Sequence, residues 1–248
     1  MTKNVLITGA SRGIGRATAL LAGRAGWNVA INYIGNTAAA ESAVAEVIAA
    51  GGRAIAIQGD VSQEADVLRM FDEAEAAFGP LTSFVNNAGV LGPSMPLAEM
   101  DSSRLRRILE VNVLGALLAA REAARRMARL GPGSGAAIVN VSSLASRTGS
   151  PNEYVDYAAA KGAMDALTLG LSKELGRHGI RVNAVRPAFI ETDIHASGGR
   201  PDRAQVLGAQ TPLGRSGRPD EVAEAILWLL SDASSYVTGS FIDLAGGR

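Results

Sequence analysis

VLITGASRGIGRATALLAGRAG, residues 5–26, decides the fold. VLIT reads as a short buried strand, glycines follow at 9, 13 and 15, and RATALLAGRAG reads as a helix. Glycine permits a tight turn and lets backbone N–H groups come close to an anion. The helix beginning near Ile14 turns the positive end of its dipole toward that anion. The spacing is G-x3-G-x-G rather than the general G-x-G-x-x-G. A strand before the glycines and a helix after them make the stretch a candidate dinucleotide phosphate loop, with Gly9, Ser11, Arg12, Gly13, Ile14 and Gly15 as contacts.

Working outward, the same alternation runs to the end of the chain. Strands are predicted at 5–8, 29–33, 54–58, 83–87, 136–142, 180–185 and 241–244. Helices are predicted at about 14–25, 37–50, 63–78, 101–130, 153–177 and 219–231. Such a pattern implies right-handed crossovers and an α/β fold with a parallel sheet covered on both faces, one Rossmann-type domain over 1–248. Near-continuous apolar strands fit that arrangement. Residues 190–216, rich in Gly, Pro and polar side chains, break the rhythm and are expected to form a flexible substrate lid. His195 within it is read as solvent-exposed rather than catalytic.

Composition removes several function classes. With 47% hydrophobic residues in 248, the chain can bury roughly 70–75% of its unfolded surface without disulfides or metals. No cysteine is present, which excludes thiolate zinc sites and a cysteine nucleophile. Two histidines, His178 and His195, make a histidine-based metal site a poor expectation, so no metal is assigned. Lys+Arg and Asp+Glu balance at 24 each, giving no reason to expect nucleic acid or an anionic membrane as partner. No apolar run reaches the ~18 residues of a membrane span, and the first apolar run is too short for a signal peptide. A cytoplasmic protein is expected.

The charges are uneven along the chain: no Asp or Glu occurs before Glu41, whereas Lys3, Arg12, Arg16 and Arg24 do. NAD sites place a carboxylate at the end of the second strand, on the adenosine ribose; NADP sites avoid it and supply arginine. Here that position reads Asn32-Tyr33, and Arg12 lies in the glycine loop. NADP(H) is therefore the expected cofactor, with NAD(H) second. After the third strand, Asp60 and Val61 are placed at the adenine, although Asp60 or Ser62 capping the next helix is an equal alternative. After the fourth strand, Asn87, Ala88 and Gly89 are small enough to floor a ribose.

YVDYAAAKG, 154–162, carries the candidate chemistry. Tyr157 and Lys161 are four apart, hence on one helix face about 6 Å apart along the axis, whereas Tyr154 and Lys161 are about 10.5 Å apart. An ammonium beside a phenol is expected to lower its pKa from near 10. That makes an acid–base catalyst without histidine.

TGASRGIG (8–15), NNAG (86–89), Asn112, VNVSS (139–143), YAAAK (157–161) and RP…ETD (186–193) occur in this order. Together they resemble the short-chain dehydrogenase/reductase family across essentially the whole chain, most closely its 3-oxoacyl-(acyl carrier protein) reductase and glucose dehydrogenase group. The resemblance implies a doubly wound sheet of order 3-2-1-4-5-6-7 and a homotetramer formed partly through 101–130 and 153–177. It implies Tyr157 as general acid and base, Lys161 as the residue that tunes it and binds the nicotinamide ribose, and Ser143 as the holder of the substrate oxygen, with Ser142 one register away. It also implies Asn112 as a proton-relay residue, and Pro187, the Ile190 backbone and Thr192 at the nicotinamide carboxamide. The family commonly has Pro-Gly where this chain has Pro187-Ala188, which would strain the turn if positive φ is needed. Asn152 and Glu153 stand at the expected substrate entrance. The implied reaction is hydride exchange between NADP(H) and a small carbonyl or secondary alcohol, a 3-oxoacyl compound or small ketone; a sugar or polyol is the alternative, and a non-catalytic NADP(H) binder ranks below both. Arg121, Arg125, Arg126 and Arg129 offer a basic helix face for an acyl carrier or, equally, an ordinary solvated surface.

Overall fold

The computed structural model describes residues 3–248, the side chain of His195 excepted. Chain order is β1 (Asn4–Ile7), α1 (Gly13–Arg24), β2 (Asn28–Tyr33), α2 (Thr37–Ala49), β3 (Arg53–Gln58), α3 (Glu64–Phe78) and β4 (Ser83–Asn86). Then come α4 (Ser102–Leu109), α5 (Ala116–Met127), β5 (Ala137–Val141), α6 (Ala145–Thr148), α7 (Val155–Gly176) and β6 (Arg181–Pro187). The chain finishes with α8 (Ile194–Ser197), α9 (Arg203–Gly208), α10 (Pro219–Leu230) and β7 (Phe241–Leu244). The strands form one parallel sheet in the order β3-β2-β1-β4-β5-β6-β7, as expected. Each predicted strand lies within two residues of an observed one.

Alternation along the strands builds two cores. Val5, Ile7, Val29, Ile31 and Val139 face α1, α2 and α10 through Ala19, Val47, Ile226 and Leu229. Leu6, Ala30, Phe84 and Ile138 face α3 and α5 through Phe71, Met70, Ala119 and Met127. Each such Val, Leu, Ile or Phe contributes ~1.5–3 kcal/mol. The order reverses between β1 and β4, and at such a switch point a crevice opens beyond the carboxyl ends of the strands.

Three departures concern the helices. The continuous helix predicted over 101–130 is interrupted by a π turn at Glu110–Gly115. The short helix α6 precedes α7, and the predicted lid contains α8 and α9 rather than bare loop. The basic face of α5 is largely neutralised: Arg126 bonds Asp72, Glu75 and Glu122 at 2.6–2.7 Å, and Arg121 pairs with Glu64. No helix among the described residues is long and apolar enough to cross a membrane.

Candidate active site

The glycine loop needs its glycines for two different reasons. Gly9 (φ +63°) and Gly13 (φ +57°) adopt left-handed backbone that L side chains avoid. Gly15 is conformationally ordinary, but a Cβ there would lie 2.7 Å from Asn87 Nδ2 and 2.8 Å from Ala10 Cα. No side chain caps α1 and no acid occupies its first turn, so its leading N–H groups keep their capacity for an anion.

The loop is held from below. Thr8, fully buried, accepts hydrogen bonds at Oγ1 from the Asn87 and Ala88 N–H groups at 2.9 and 3.0 Å. Asn87 Nδ2 donates to Thr8 O and Gly9 O at 2.8 and 3.1 Å. Asn32 Oδ1 accepts from Gly9 N at 3.1 Å, while its Nδ2 donates to Gly59 O at 3.0 Å. Asn32 and Asn87, expected as cofactor contacts, thus border the cleft mainly as braces. Thr8 was not singled out in the sequence; a polar residue closing an apolar strand was the available signal.

A cleft of about 510 Å³ joins this loop to the far ends of β5 and β6. All the residues expected at the site line it except Gly15 and Asn112, which stand behind its wall. Arg12 is exposed, and its side chain makes no hydrogen bond or ion pair with the described residues. Asp60 Oδ1 accepts from the Ser62 N–H and hydroxyl at 2.9 and 2.7 Å, but α3 begins after Gln63 with no side-chain cap, so neither Asp60 nor Ser62 caps it; Asp60 Oδ2 lies 3.7 Å from Arg107. A Cβ on Gly89 would meet Asn112 Oδ1 at 3.1 Å and Lys161 Nζ at 3.7 Å. Thr192 leans over the loop, 3.4 Å from where a Gly13 Cβ would be.

At the other end the two tyrosines separate. Tyr154, only 2% exposed, precedes α7 and reaches Gly198 O with its hydroxyl at 3.5 Å. Tyr157 faces the cleft near Ser143, whose Oγ accepts from Ala145 N at 3.1 Å and donates to Pro187 O at 3.4 Å. The serines point apart: Ser142 Oγ, buried, donates to Asp165 Oδ1 at 2.7 Å, and Asp165 in turn binds Arg186 at 3.0 Å. Burial pushes the Tyr157 phenol up to about 12, opposed by the Ser143 hydroxyl and the charge of Arg203. Lys161 Nζ donates to Val141 O at 2.6 Å and sits 5.5 Å from the Tyr157 ring centroid. Burial brings Lys161 down to about 8, with Asp165 opposing. The phenol is therefore raised rather than lowered as expected: desolvation outweighs the Ser143 hydroxyl and the charge of Arg203.

The profile of a family described as enoyl-(acyl carrier protein) reductase matches residues 9–248. The chain is 54% identical over 243 residues to an uncharacterized oxidoreductase, YgfF, of Escherichia coli (strain K12), covering 98% of each. It is 41% identical to the cis-4-hydroxycyclohexanecarboxylate dehydrogenase of Sinomonas cyclohexanicum, over 98% of this chain and 94% of that one. A crystal structure of a short-chain type dehydrogenase/reductase from Mycobacterium marinum superposes with a TM-score of 0.88 at 36% identity, over 98% of this chain and 94% of that one. The chain belongs to the short-chain dehydrogenase/reductase family. It is an NAD(P)-dependent oxidoreductase acting on CH–OH donors.

In this dehydrogenase/reductase Asn112 lies within the π turn, 1% exposed. Its Oδ1 accepts from Val90 N and its Nδ2 donates to Val90 O, both at 2.8 Å. The side chain thus clamps the chain after NNAG against the widened turn. A π turn inside an α-helix is often a functional feature rather than a defect.

Residues 190–216 of the dehydrogenase/reductase are docked through a residue whose role the sequence left open. Glu153 accepts from Arg200 at 3.1 Å and from Arg203 at 2.5 Å, and its backbone O accepts from Met95 N at 3.1 Å. Arg203, missed in the sequence because its partner is fifty residues away, also lines the cleft. Ala188 causes no strain: among the described residues only Ser150 and Asn152 are non-glycine with positive φ, and Ala188 N donates to Leu244 O at 3.0 Å. The expectation for His195 falls on a side chain outside the described residues.

Because Lys161 is charged below about pH 8 and neutral above it, a pH profile follows. We expect kcat/KM for reduction to stay level below about pH 8 and to fall as the pH rises beyond it. Lys161→Arg, whose charge persists, should move that limb upward; an unmoved limb would assign it to another group.

Proposed function

We propose that the enzyme reversibly reduces a small-molecule ketone to a secondary alcohol with NADP(H) as preferred cofactor and NAD(H) as a poorer one. The observation that carries this reading is that Ser143, Tyr157 and buried Lys161 line one end of the cleft that begins at the glycine loop. The residues fit a phosphorylated dinucleotide. Gly15 leaves no room for a side chain, the start of α1 is uncapped, and the Arg12 side chain has no hydrogen bond or ion pair among the described residues. A relative that is a hydroxycyclohexanecarboxylate dehydrogenase supports a secondary alcohol as the reduced form.

In balance, a ketone, NADPH and a proton give the alcohol and NADP⁺. The nicotinamide, when bound, supplies or accepts the hydride. Ser143 holds the carbonyl oxygen beside the Tyr157 hydroxyl. Tyr157 gives that oxygen its proton as alkoxide charge develops and recovers it in the oxidative direction. A phenol raised to about 12 is fully protonated at neutral pH, the form that reduction requires. Lys161 Nζ keeps donors beyond its bond to Val141 O for a ribose hydroxyl. Asn112, behind Gly89 and Lys161, is assigned to the proton path that reprotonates Tyr157. Pro187, Ile190 and Thr192 form the wall assigned to the carboxamide. Exposed Leu109, Leu114, Leu117 and Leu169 support a homotetramer built through α4, α5 and α7.

The test is a paired assay with NADPH and NADH against small ketones and, in reverse, secondary alcohols and sugars. Arg12→Ala should cost NADPH at least tenfold in kcat/KM, about 1.4 kcal/mol or more, and leave NADH within about threefold. Equal losses would remove Arg12 as the 2′-phosphate partner. Silence across the panel with cofactor binding intact would favour a non-catalytic binder.

A further inference from the structure

We propose that the substrate end of the cleft recognises a carboxylate, with Arg203 as the specificity-determining residue. The proposal deepens the oxidoreductase reading of the same cleft and rests on it for the reacting carbon. Arg203 rises from α9 with its side chain 12% exposed. Its guanidinium lies 5.2 Å from the ring centroids of both Tyr154 and Phe189. One terminal nitrogen donates to Glu153. Its Nε is buried and meets no hydrogen-bond partner among the described residues. A buried donor left unmet is unusual in native proteins.

Charge and shape agree with this assignment. Glu153 is shared by Arg200 and Arg203, so one carboxylate faces two guanidinium groups. Arg248 covers the Phe189 ring at 4.9 Å and lines the same cleft without an ion pair to any described side chain. The acid on this wall, Asp193, is exposed and also borders Gly13 and Arg16, toward the glycine loop. The Tyr154 and Phe189 rings flank the guanidinium at close range, and its second terminal nitrogen, which makes no hydrogen bond among the described residues, is the donor left for a carboxylate. Leu207 and Ile194 complete an apolar wall beside it. A substrate end that sets Arg203 and Arg248 beside an apolar wall fits an oxo acid and its hydroxy acid, the hydrocarbon body on the leucine side and the carbonyl at Tyr157.

The experiment titrates matched acid and amide pairs, benzoate with benzamide and hexanoate with hexanamide, into the full chain saturated with NADP⁺, followed by calorimetry. The acid should bind at least tenfold more tightly than its amide in one pair or both. Arg203→Met should lower that ratio at least tenfold, and Arg203→Lys should retain part of it. A ratio near one in both pairs overturns the proposal. So does a ratio unchanged in Arg203→Met, including the case where acid and amide weaken together, which would leave Arg203 as a lid latch only. The ratio needs no turnover, so an enzyme inert toward every ketone would remove the oxidoreductase reading and leave carboxylate recognition standing.

Discussion

Tyr157→Phe is expected to lower turnover about 10³-fold while NADPH affinity changes by less than about threefold. The phenylalanine keeps the ring that packs in the cleft near Lys161 and removes only the hydroxyl. Without it, the alkoxide formed at the substrate must find its proton in water, and the loss should fall on kcat rather than on KM. Fluorescence titration with NADPH separates the two quantities. Turnover within tenfold of the parent would remove Tyr157 as the acid. Tyr154→Phe is the matched comparison: its hydroxyl only reaches Gly198 O, so turnover should survive.

The second large effect divides adjacent serines. Ser143→Ala should cost about 10²–10³-fold in kcat, because an oriented donor at a developing oxyanion is worth that much when removed. Ser142→Ala should act on stability instead. Its hydroxyl is the buried donor to Asp165, and leaving that carboxylate short of a partner beside Arg186 costs ~1–3 kcal/mol. Thermal unfolding and steady-state kinetics on both variants decide the matter. A large kcat loss in Ser142→Ala with Ser143→Ala nearly unaffected would reverse the assignment.

The sheet was legible because its inner strands, β1, β2, β4, β5 and β6, are buried on both faces, so apolar runs such as those around Leu6, Ala30 and Ile138 mark them directly. The glycine loop was legible because its neighbours are local: strand, turn and helix follow within twelve residues of Val5. What depends on distant neighbours was not. The π turn at Asn112 is made by Val90, which helical periodicity over 101–130 does not register. Glu153 found its meaning only when α9 brought Arg203 beside it. Spacing placed Tyr157 near Lys161 correctly but misjudged the sign of the phenol's shift, since desolvation belongs to the folded surroundings and not to the pair. The concern over Ala188 dissolved for a related reason: the turn uses negative φ, which a motif comparison does not encode.

The braces under the glycine loop have a consequence for thermodynamics. Thr8, Asn32 and Asn87 tie the loop to β1, β2 and the end of β4 through the protein's own hydrogen bonds. Its conformational entropy is therefore lost during folding and not again when a nucleotide binds. The substrate end is different, hung from Glu153 and Gly198 on two short helices. Nucleotide association should thus behave as docking to a rigid template, whereas substrate association should carry the larger ordering term.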